Sequence, residues 1–405
     1  MRPHKKENNA MEKPRLLIVN NNMHLGGVQS ALAALLQQIC DQWDVTLLLL
    51  YPGGELMDRI PPQVEVVSAA PLLAYWGMTR QDAALSGKAR TRLLLAGLTR
   101  VLGRSVTILP ALLSQRTLKG FDAAISFLHS GPDRVFYGGC NELVLSRVEA
   151  KRKFTFLHCD FAAIGGCSRS NARLYRRFDR IAACSRGAEL AFLRVFPQLS
   201  DRTMVVPNCH DYAYIRAMAE KEPACLPRTG VNVLTVARFG REKGILRAAE
   251  AMAELAQQRD DFRWYVIGDG LEYAPVQALI HARGLEERMV LLGAKLQPYG
   301  YLKAADLLLI PSVSEAAPMV IGEAAVLGTP ILSTRTSSAV ELVQQPGLGW
   351  VCENSLTGIQ EGVRRVLDDP QSLAARAGAL EGMKLDNTLA LRRFAELLTE
   401  ERVSL

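Results

Sequence analysis

Short apolar runs alternate with stretches of helical periodicity along almost the whole chain. Leu16–Asn20, Asp44–Tyr51, Val64–Val67, Ala123–Phe127, Phe154–His158 and Arg180–Cys184 read as strands of a first unit, with a helix over Val28–Cys40 after the first strand. Val231–Ala237, Trp264–Gly268, Met289–Leu292, Leu307–Ile310 and Pro330–Ser333 read as strands of a second unit, spaced by helices at about Gly244–Gln258, Tyr273–Arg283, Pro298–Ala304 and Val320–Leu327. Strand–helix alternation of this kind predicts parallel sheets joined by right-handed crossovers. The Pro- and Gly-rich stretch Glu222–Gly230 precedes a fresh first strand, so the break between the units is expected near Asn208–Gly230. Two such units facing each other form a deep cleft, and ligands bind at the carboxyl ends of the strands.

A chain of 405 residues with 49% hydrophobic and 6% aromatic positions suits a two-domain α/β enzyme. No run of about 18 apolar residues marks a transmembrane helix. Residues 1–13 are polar and Lys-bearing without an apolar core, which excludes a signal peptide and reads as a disordered lead. Eight scattered cysteines without C-x-x-C spacing read as reduced cytosolic thiols, and neither H-E-x-x-H nor D-x-D occurs, so no metal site is expected. The net charge of +7 is unevenly spread. Between Ala83 and Phe121 stand Lys88, Arg90, Arg92, Arg100, Arg104, Arg116 and Lys119 with no acidic residue, interleaved with Leu93, Leu94, Leu95, Leu98 and Leu102. A basic amphipathic segment suits an anionic membrane surface; the alternative is a solvated helix face whose leucines pack on their own domain. Nucleic acid is disfavoured, because the stretch lacks stacking aromatics before Phe121 and no reader motif accompanies it.

The densest chemistry lies in Pro311–Ala324. Glu315 falls in a loop after a strand and Glu323 on the helix that follows, eight positions on. Pro318 suits a helix start, where the N–H groups of Ala317, Met319 and Val320 are free to hold an anion. Ionised carboxylates accept hydrogen bonds from hydroxyls and repel phosphates, so the pair beside an anion site suits a ligand carrying both, such as a nucleotide sugar. Arg238 and Lys243, in Val236–Gly244 at another strand end, would supply cations for a diphosphate. Gly26-Gly27 after the first strand permits close backbone approach, and His158 ends a strand where it would face the cleft. Val266–Gly270 opens like a dinucleotide fingerprint, but Tyr273 stands where the third glycine belongs, which disfavours a nicotinamide enzyme.

These segments resemble, in order, the motifs of retaining glycosyltransferases of the GT-B fold, in particular family 4 (glycosyl transferases group 1). Glu315 to Glu323 is similar to the E-x7-E signature, Arg238–Gly244 to the GR-x-x-x-EKG segment, His24–Gln29 to the GG-x-E turn with Gln29 in place of the glutamate, and Phe154–His158 to the strand whose histidine lies near the sugar. Val206-Pro207-Asn208, before the second half, fits the same order. The usual Gly and bulky residue after the first glutamate are here Ala316 and Ala317. The resemblance implies two facing Rossmann-like domains: an acceptor-binding domain over 14–208, a nucleotide-sugar-binding domain over 209–384, and a last helix, about 385–405, returning to the first. It implies catalytic roles for His158, Glu315, Arg238 and Lys243. Donor contacts are implied at Gly26, Gly27, Arg238, Lys243, Gly293, Met319, Val320 and Glu323. The implied reaction is metal-independent, retaining transfer of a hexose or N-acetylhexosamine, most readily from a UDP-sugar, to a polyprenyl-linked glycan of bacterial surface polysaccharide. The protein would be cytoplasmic, with peripheral attachment to the inner face of the membrane. A nucleotide-sugar epimerase of the same fold, or a non-catalytic partner-binding subunit, are the alternatives.

Overall fold

The computed structural model describes residues 13–399, so residues 1–12 of the expected lead and 400–405 of the expected last helix lie outside it. Two parallel sheets dominate. The first contains β1 (Arg15–Asn20), β2 (Asp44–Leu49), β3 (Glu65–Ser68), β4 (Leu118–Ser126), β5 (Val148–Leu157), β6 (Arg180–Ala183) and β7 (Thr203–Val205), in the order β3-β2-β1-β4-β5-β6-β7. The second contains β8 (Val231–Val236), β9 (Phe262–Ile267), β10 (Met289–Gly293), β11 (Leu307–Ile310), β12 (Ile331–Thr334) and β13 (Gly349–Cys352), in the order β10-β9-β8-β11-β12-β13. β1 and β2 bury every residue but their first, as strands covered by helices on both faces must.

Each sheet carries a core on both faces. The helix Gly27–Ile39 and the helix Thr388–Leu398 share one face of the first sheet, the latter through Ala390, Phe394 and Leu397 against Leu16, Ile18 and Phe156. The chain therefore crosses between the units twice. The crossings are tied reciprocally: the His210 N–H donates to Asn387 Oδ1 (2.9 Å), and Asn387 Nδ2 donates to the His210 carbonyl (2.8 Å).

Strand order reverses between β1 and β4 in the first sheet and between β8 and β11 in the second. Loops leaving adjacent strands in opposite directions open a crevice at each reversal, where ligands of such sheets bind.

The helices Arg186–Val195, Tyr212–Lys221, Leu356–Leu367 and Pro370–Glu381 and the short edge strands β7 and β13 are not in the sequence-based expectation. The edge strands are three and four residues long, too short for a period to show. Arg104 also departs from it. The residue is buried, donating to Glu142 Oε1 (2.7 Å), the Gly131 carbonyl (2.7 Å) and Asn171 Oδ1 (2.9 Å). It belongs to the core of the first unit and not to a basic surface, because a guanidinium can be buried only when its fork is satisfied.

Candidate functional site

Arg238 and the turn Arg241–Lys243 follow β8, and Glu315 follows β11, so the reversal of the second sheet brings them together. Gly244 closes the turn at φ 64°, with the Pro311 carbonyl 2.3 Å from where a Cβ would stand, so only glycine lets the turn lie against the end of β11. Lys243 Nζ then reaches Glu315 Oε1 at 2.6 Å, and Ser312 Oγ donates to the same oxygen at 2.8 Å. The Glu315 side chain is 11% exposed. Arg238 differs: its side chain is 75% exposed and donates to Glu242 Oε1 at 2.7 Å. Burial would raise the Glu242 carboxyl, but the Arg238 bond leaves it below the usual carboxylate range.

The segment from Glu315 to the helix Met319–Val326 is held by its carbonyls. Ser337 Oγ donates to the Glu315 carbonyl (2.8 Å), Ser185 Oγ to that of Ala316 (2.7 Å), and Asn208 Nδ2 to that of Ala317 (3.3 Å). The amides of Glu315, Ala316, Ala317, Met319 and Val320 find no acceptor among the described residues. Pro318 is the cap of the helix rather than part of its first turn. Carbonyls engaged and amides unengaged, next to a helix N-terminus, make an anion cradle.

Glu323 stands in the second turn of that helix, and no donor meets its carboxyl among the described residues. Burial pushes it up to about 7, with the Arg59 charge pulling the other way. Arg59 comes from the first unit, donates to Asp211 (2.9 Å) and lies 3.3 Å above the Tyr214 ring centre. Tyr299 shares this corner; its hydroxyl is pushed up by burial and then by Glu323.

The first unit supplies the facing wall. Gly26 and Gly27 open the helix after β1, and a Cβ on Gly27 would stand 3.8 Å from Met319 Cγ, so the two helix starts meet across the cleft. His24 fixes the turn between Glu55 (3.2 Å) and Asp82 (2.8 Å). Gln29 turns back to Asn21 Oδ1 (3.1 Å) and braces the same turn. His158 follows β5, its ring against Phe127 and Phe156, with Nε2 buried and unpartnered. Burial, and then His129 beside it, lowers its pKa to about 3. Gly293 ends β10 at φ 70°, its carbonyl accepting from the Gly268 N–H (2.9 Å), two strands from Arg238.

Sequence reasoning missed several residues here. Ser126 pairs with Thr155 in the β4–β5 ladder, so His129 and His158 each stand three positions beyond that pair. His129 Nδ1 is likewise buried and unpartnered, and burial followed by Arg104 lowers its pKa to about 4. The signal was present: Ala123–Phe127, like Phe154–Leu157, is an apolar run leading to a histidine. No local pattern foretells Glu341, which accepts from the N–H groups of Arg186 (2.9 Å) and Gly187 (3.0 Å) at a helix start in the other unit.

Residues 220–379, which lie in the second unit, match the model of the family described as Glycosyl transferases group 1. The chain is 31% identical to 2-deoxystreptamine glucosyltransferase of Streptomyces kanamyceticus, over 56% of this chain and 61% of that protein. It is also 31% identical to the amylovoran biosynthesis glycosyltransferase AmsK of Erwinia amylovora, over 42% and 44%. These matches therefore span about half the length of the curated relatives. Among solved structures, Anabaena Alr3699/HepE in complex with UDP and glucose shares the fold with a TM-score of 0.66 at 19% identity, covering 95% of this chain and 99% of that one. WaaG, a glycosyltransferase involved in lipopolysaccharide biosynthesis, does so with a TM-score of 0.59 at 15% identity. The two-sheet architecture is thus the GT-B fold.

Proposed function

We propose that this protein is a retaining, family 4 glycosyltransferase that moves a hexose or N-acetylhexosamine from a nucleoside diphosphate sugar, in first place a UDP-sugar, to a lipid-linked glycan of bacterial surface polysaccharide. The observation that carries the reading is the Lys243–Glu315 pair (2.6 Å) beside five unengaged amides at the strand reversal, with the helix start at Gly27 opposite Met319 across the cleft. In this reading Arg238, Lys243, and the amides of Met319 and Val320 hold the diphosphate, and Glu315 accepts from a sugar hydroxyl. Glu323 accepts from the ribose, and the backbone around Gly293 meets the base. His158 is held neutral by burial, so its ring nitrogen is a hydrogen-bonding group for the sugar and not a cation. The acceptor hydroxyl enters on the face the diphosphate leaves, and the leaving oxygen takes its proton. Positive charge fixed in advance lowers the barrier as negative charge grows on that oxygen. Metal independence belongs to the proposal and rests on Arg238 and Lys243 carrying that charge. AmsK and WcaL, relatives named for amylovoran and colanic acid biosynthesis, support the polysaccharide setting.

The test is thermal unfolding with UDP, GDP and ADP, each with and without EDTA, followed by incubation with the stabilising nucleotide's sugar. A ligand that binds only the folded state raises apparent stability by mass action. A shift with one nucleotide that survives EDTA is the expected result. Loss of the shift in EDTA refutes metal independence, and absence of any shift refutes the donor site. Conversion of the sugar nucleotide to an isomer with no acceptor present identifies an epimerase instead.

A further inference from the structure

Half of the eighteen large apolar side chains exposed among the described residues fall between positions 85 and 113: Leu85, Leu93, Leu94, Leu98, Val101, Leu102, Val106, Leu109 and Leu113. Most are on the helix Ala89–Leu102 and the short helices after it. In that helix only Thr99 is fully buried. Leu95 leans on the core of the first unit, while Leu94, Leu98, Val101 and Leu102, spaced to share one face, point outward. Val101 is 71% exposed and Leu93 75%. The amphipathic helix is turned with its richer apolar stripe toward solvent, the reverse of what packing on its own domain requires. Scattered exposed leucines need no explanation, but a contiguous patch marks an interaction surface.

The exposed charges within it are all basic. Lys88, Arg90, Arg100 and Arg116 are exposed within the segment, which has no acidic residue from Ala83 to Phe121. Arg104, the buried exception, carries no part of this surface. A neighbouring helix adds to it: Ser105 Oγ meets Ser170 Oγ at 3.2 Å, which brings the helix Arg169–Tyr175 alongside. That helix and the turn after it present Arg169, Arg173, Arg176 and Arg177, with no acidic residue from Phe161 to Phe178. The Asp133 carboxyl nearby lies 3.9 Å from Arg104, and Asp82 is buried against His24.

We infer that this face, the outward side of residues 85–113 with the arginines of 169–177, docks on an anionic lipid bilayer. The leucine and valine stripe enters the headgroup boundary and the arginines bind lipid phosphates. An apolar stripe flanked by arginines matches a surface that is apolar beneath and anionic above, and a protein partner would need its own apolar patch inside an acidic ring. The inference is independent of which nucleotide the cleft takes. It would hold the first unit's cleft residues near a lipid-tethered acceptor.

The experiment is sedimentation of the full chain with phosphatidylcholine vesicles, with and without phosphatidylglycerol, together with sizing of the protein alone. Two variants accompany it: Leu94→Ser/Leu98→Ser/Val101→Ser, and Arg90→Gln/Arg100→Gln. All five side chains are exposed or on the helix surface, so unchanged thermal unfolding checks that the variants fold. The expected result is binding to phosphatidylglycerol vesicles only, weakened on the order of tenfold or more by the serine variant and roughly thirtyfold by the glutamine variant. Full-chain protein left in the supernatant with anionic vesicles overturns the inference, as does undiminished binding by the serine variant. A dimer without lipid that the serine variant converts to monomer also overturns it, because the occupant of the stripe is then a second copy. Nucleotide stabilisation without vesicle binding separates this failure from failure of the donor site.

Discussion

Glu323 ties the energetics of the fold to the proposed donor site, and Glu323→Gln tests the connection. A carboxyl raised from 4.5 to about 7 stays protonated in the folded protein over a window where the unfolded chain has lost its proton. Folding then binds a proton, so stability falls as pH rises from about 4.5 to about 7 and is level above. At about 1.36 kcal/mol per pH unit the loss sums to about 3 kcal/mol. Glutamine keeps the shape and cannot ionise, so the variant should gain about 3 kcal/mol on the parent between pH 5 and pH 8. For a unit of this size that is roughly 6–12 °C in Tm. Thermal unfolding of both proteins across that range measures it, and parallel Tm curves would refute the desolvation argument. The same proton reports on the ligand. If ribose hydroxyls donate to Glu323, the carboxylate must form, so UDP-glucose should bind more tightly as pH rises toward 7. The gain approaches roughly tenfold per unit in the parent and is absent in the variant. A pH-independent affinity in the parent would remove the ribose from Glu323.

Arg238→Ala should leave the stability within about 0.5 kcal/mol of the parent, since its one ion pair among the described residues is exposed, while weakening UDP-sugar binding tenfold or more on the order of a lost charge-assisted bond; unchanged turnover would sink the diphosphate assignment. Lys243→Met leaves Glu315 with the Ser312 hydroxyl as its one remaining donor among the described residues, and should cost about 1–3 kcal/mol in chemical unfolding as well as activity. His158 stays neutral above about pH 3, so kcat/KM should show no inflection near pH 6.5 that His158→Gln removes. Gly187→Ala puts a Cβ 2.1 Å from the Ser337 carbonyl and should force the units apart, seen as a larger radius of gyration in solution scattering; an unchanged radius would show that the contact yields.

Much of this architecture was legible because parallel strands buried on both faces are near-continuous apolar runs, and the helices between them carry the other period. Glu315, Lys243 and Arg238 were legible because each lies within a few residues of a strand end that the pattern marks. Their contact was not, since Lys243 and Glu315 are 72 positions apart and meet only through the β8–β11 pairing. The basic segment misled in one place. Charge and period put Arg104 on the surface with its neighbours, but Glu142, Asn171 and two backbone carbonyls form a buried socket for it that no window of sequence contains. The outward turn of Leu94, Leu98 and Val101 was also hidden, because periodicity names a stripe without saying whether it faces core or solvent.

The contacts between the units give closure a chemical consequence. Of the three carbonyls that hold the cradle after β11, one is tied by Ser337 of the same unit and two by Ser185 and Asn208 from the other side of the cleft. Glu341 meanwhile caps the helix that begins just after Ser185, which aims that hydroxyl at Ala316. Separating the units breaks the Ser185 and Glu341 bonds together, and the peptide planes of Ala316 and Ala317 lose the ties that fix their amides. The anion cradle is therefore set by the closed arrangement, and a diphosphate held there as proposed would stabilise closure by its preference for those amides. Glu341→Ala removes two acceptor bonds from the Arg186–Val195 helix start without touching the cradle or its ligands. Its predicted effect is weaker nucleotide binding with an intact fold, measured as a raised Kd while the free protein loses no more than about 1–2 kcal/mol of stability. Equal affinity in parent and variant would mean the cradle forms without the first unit.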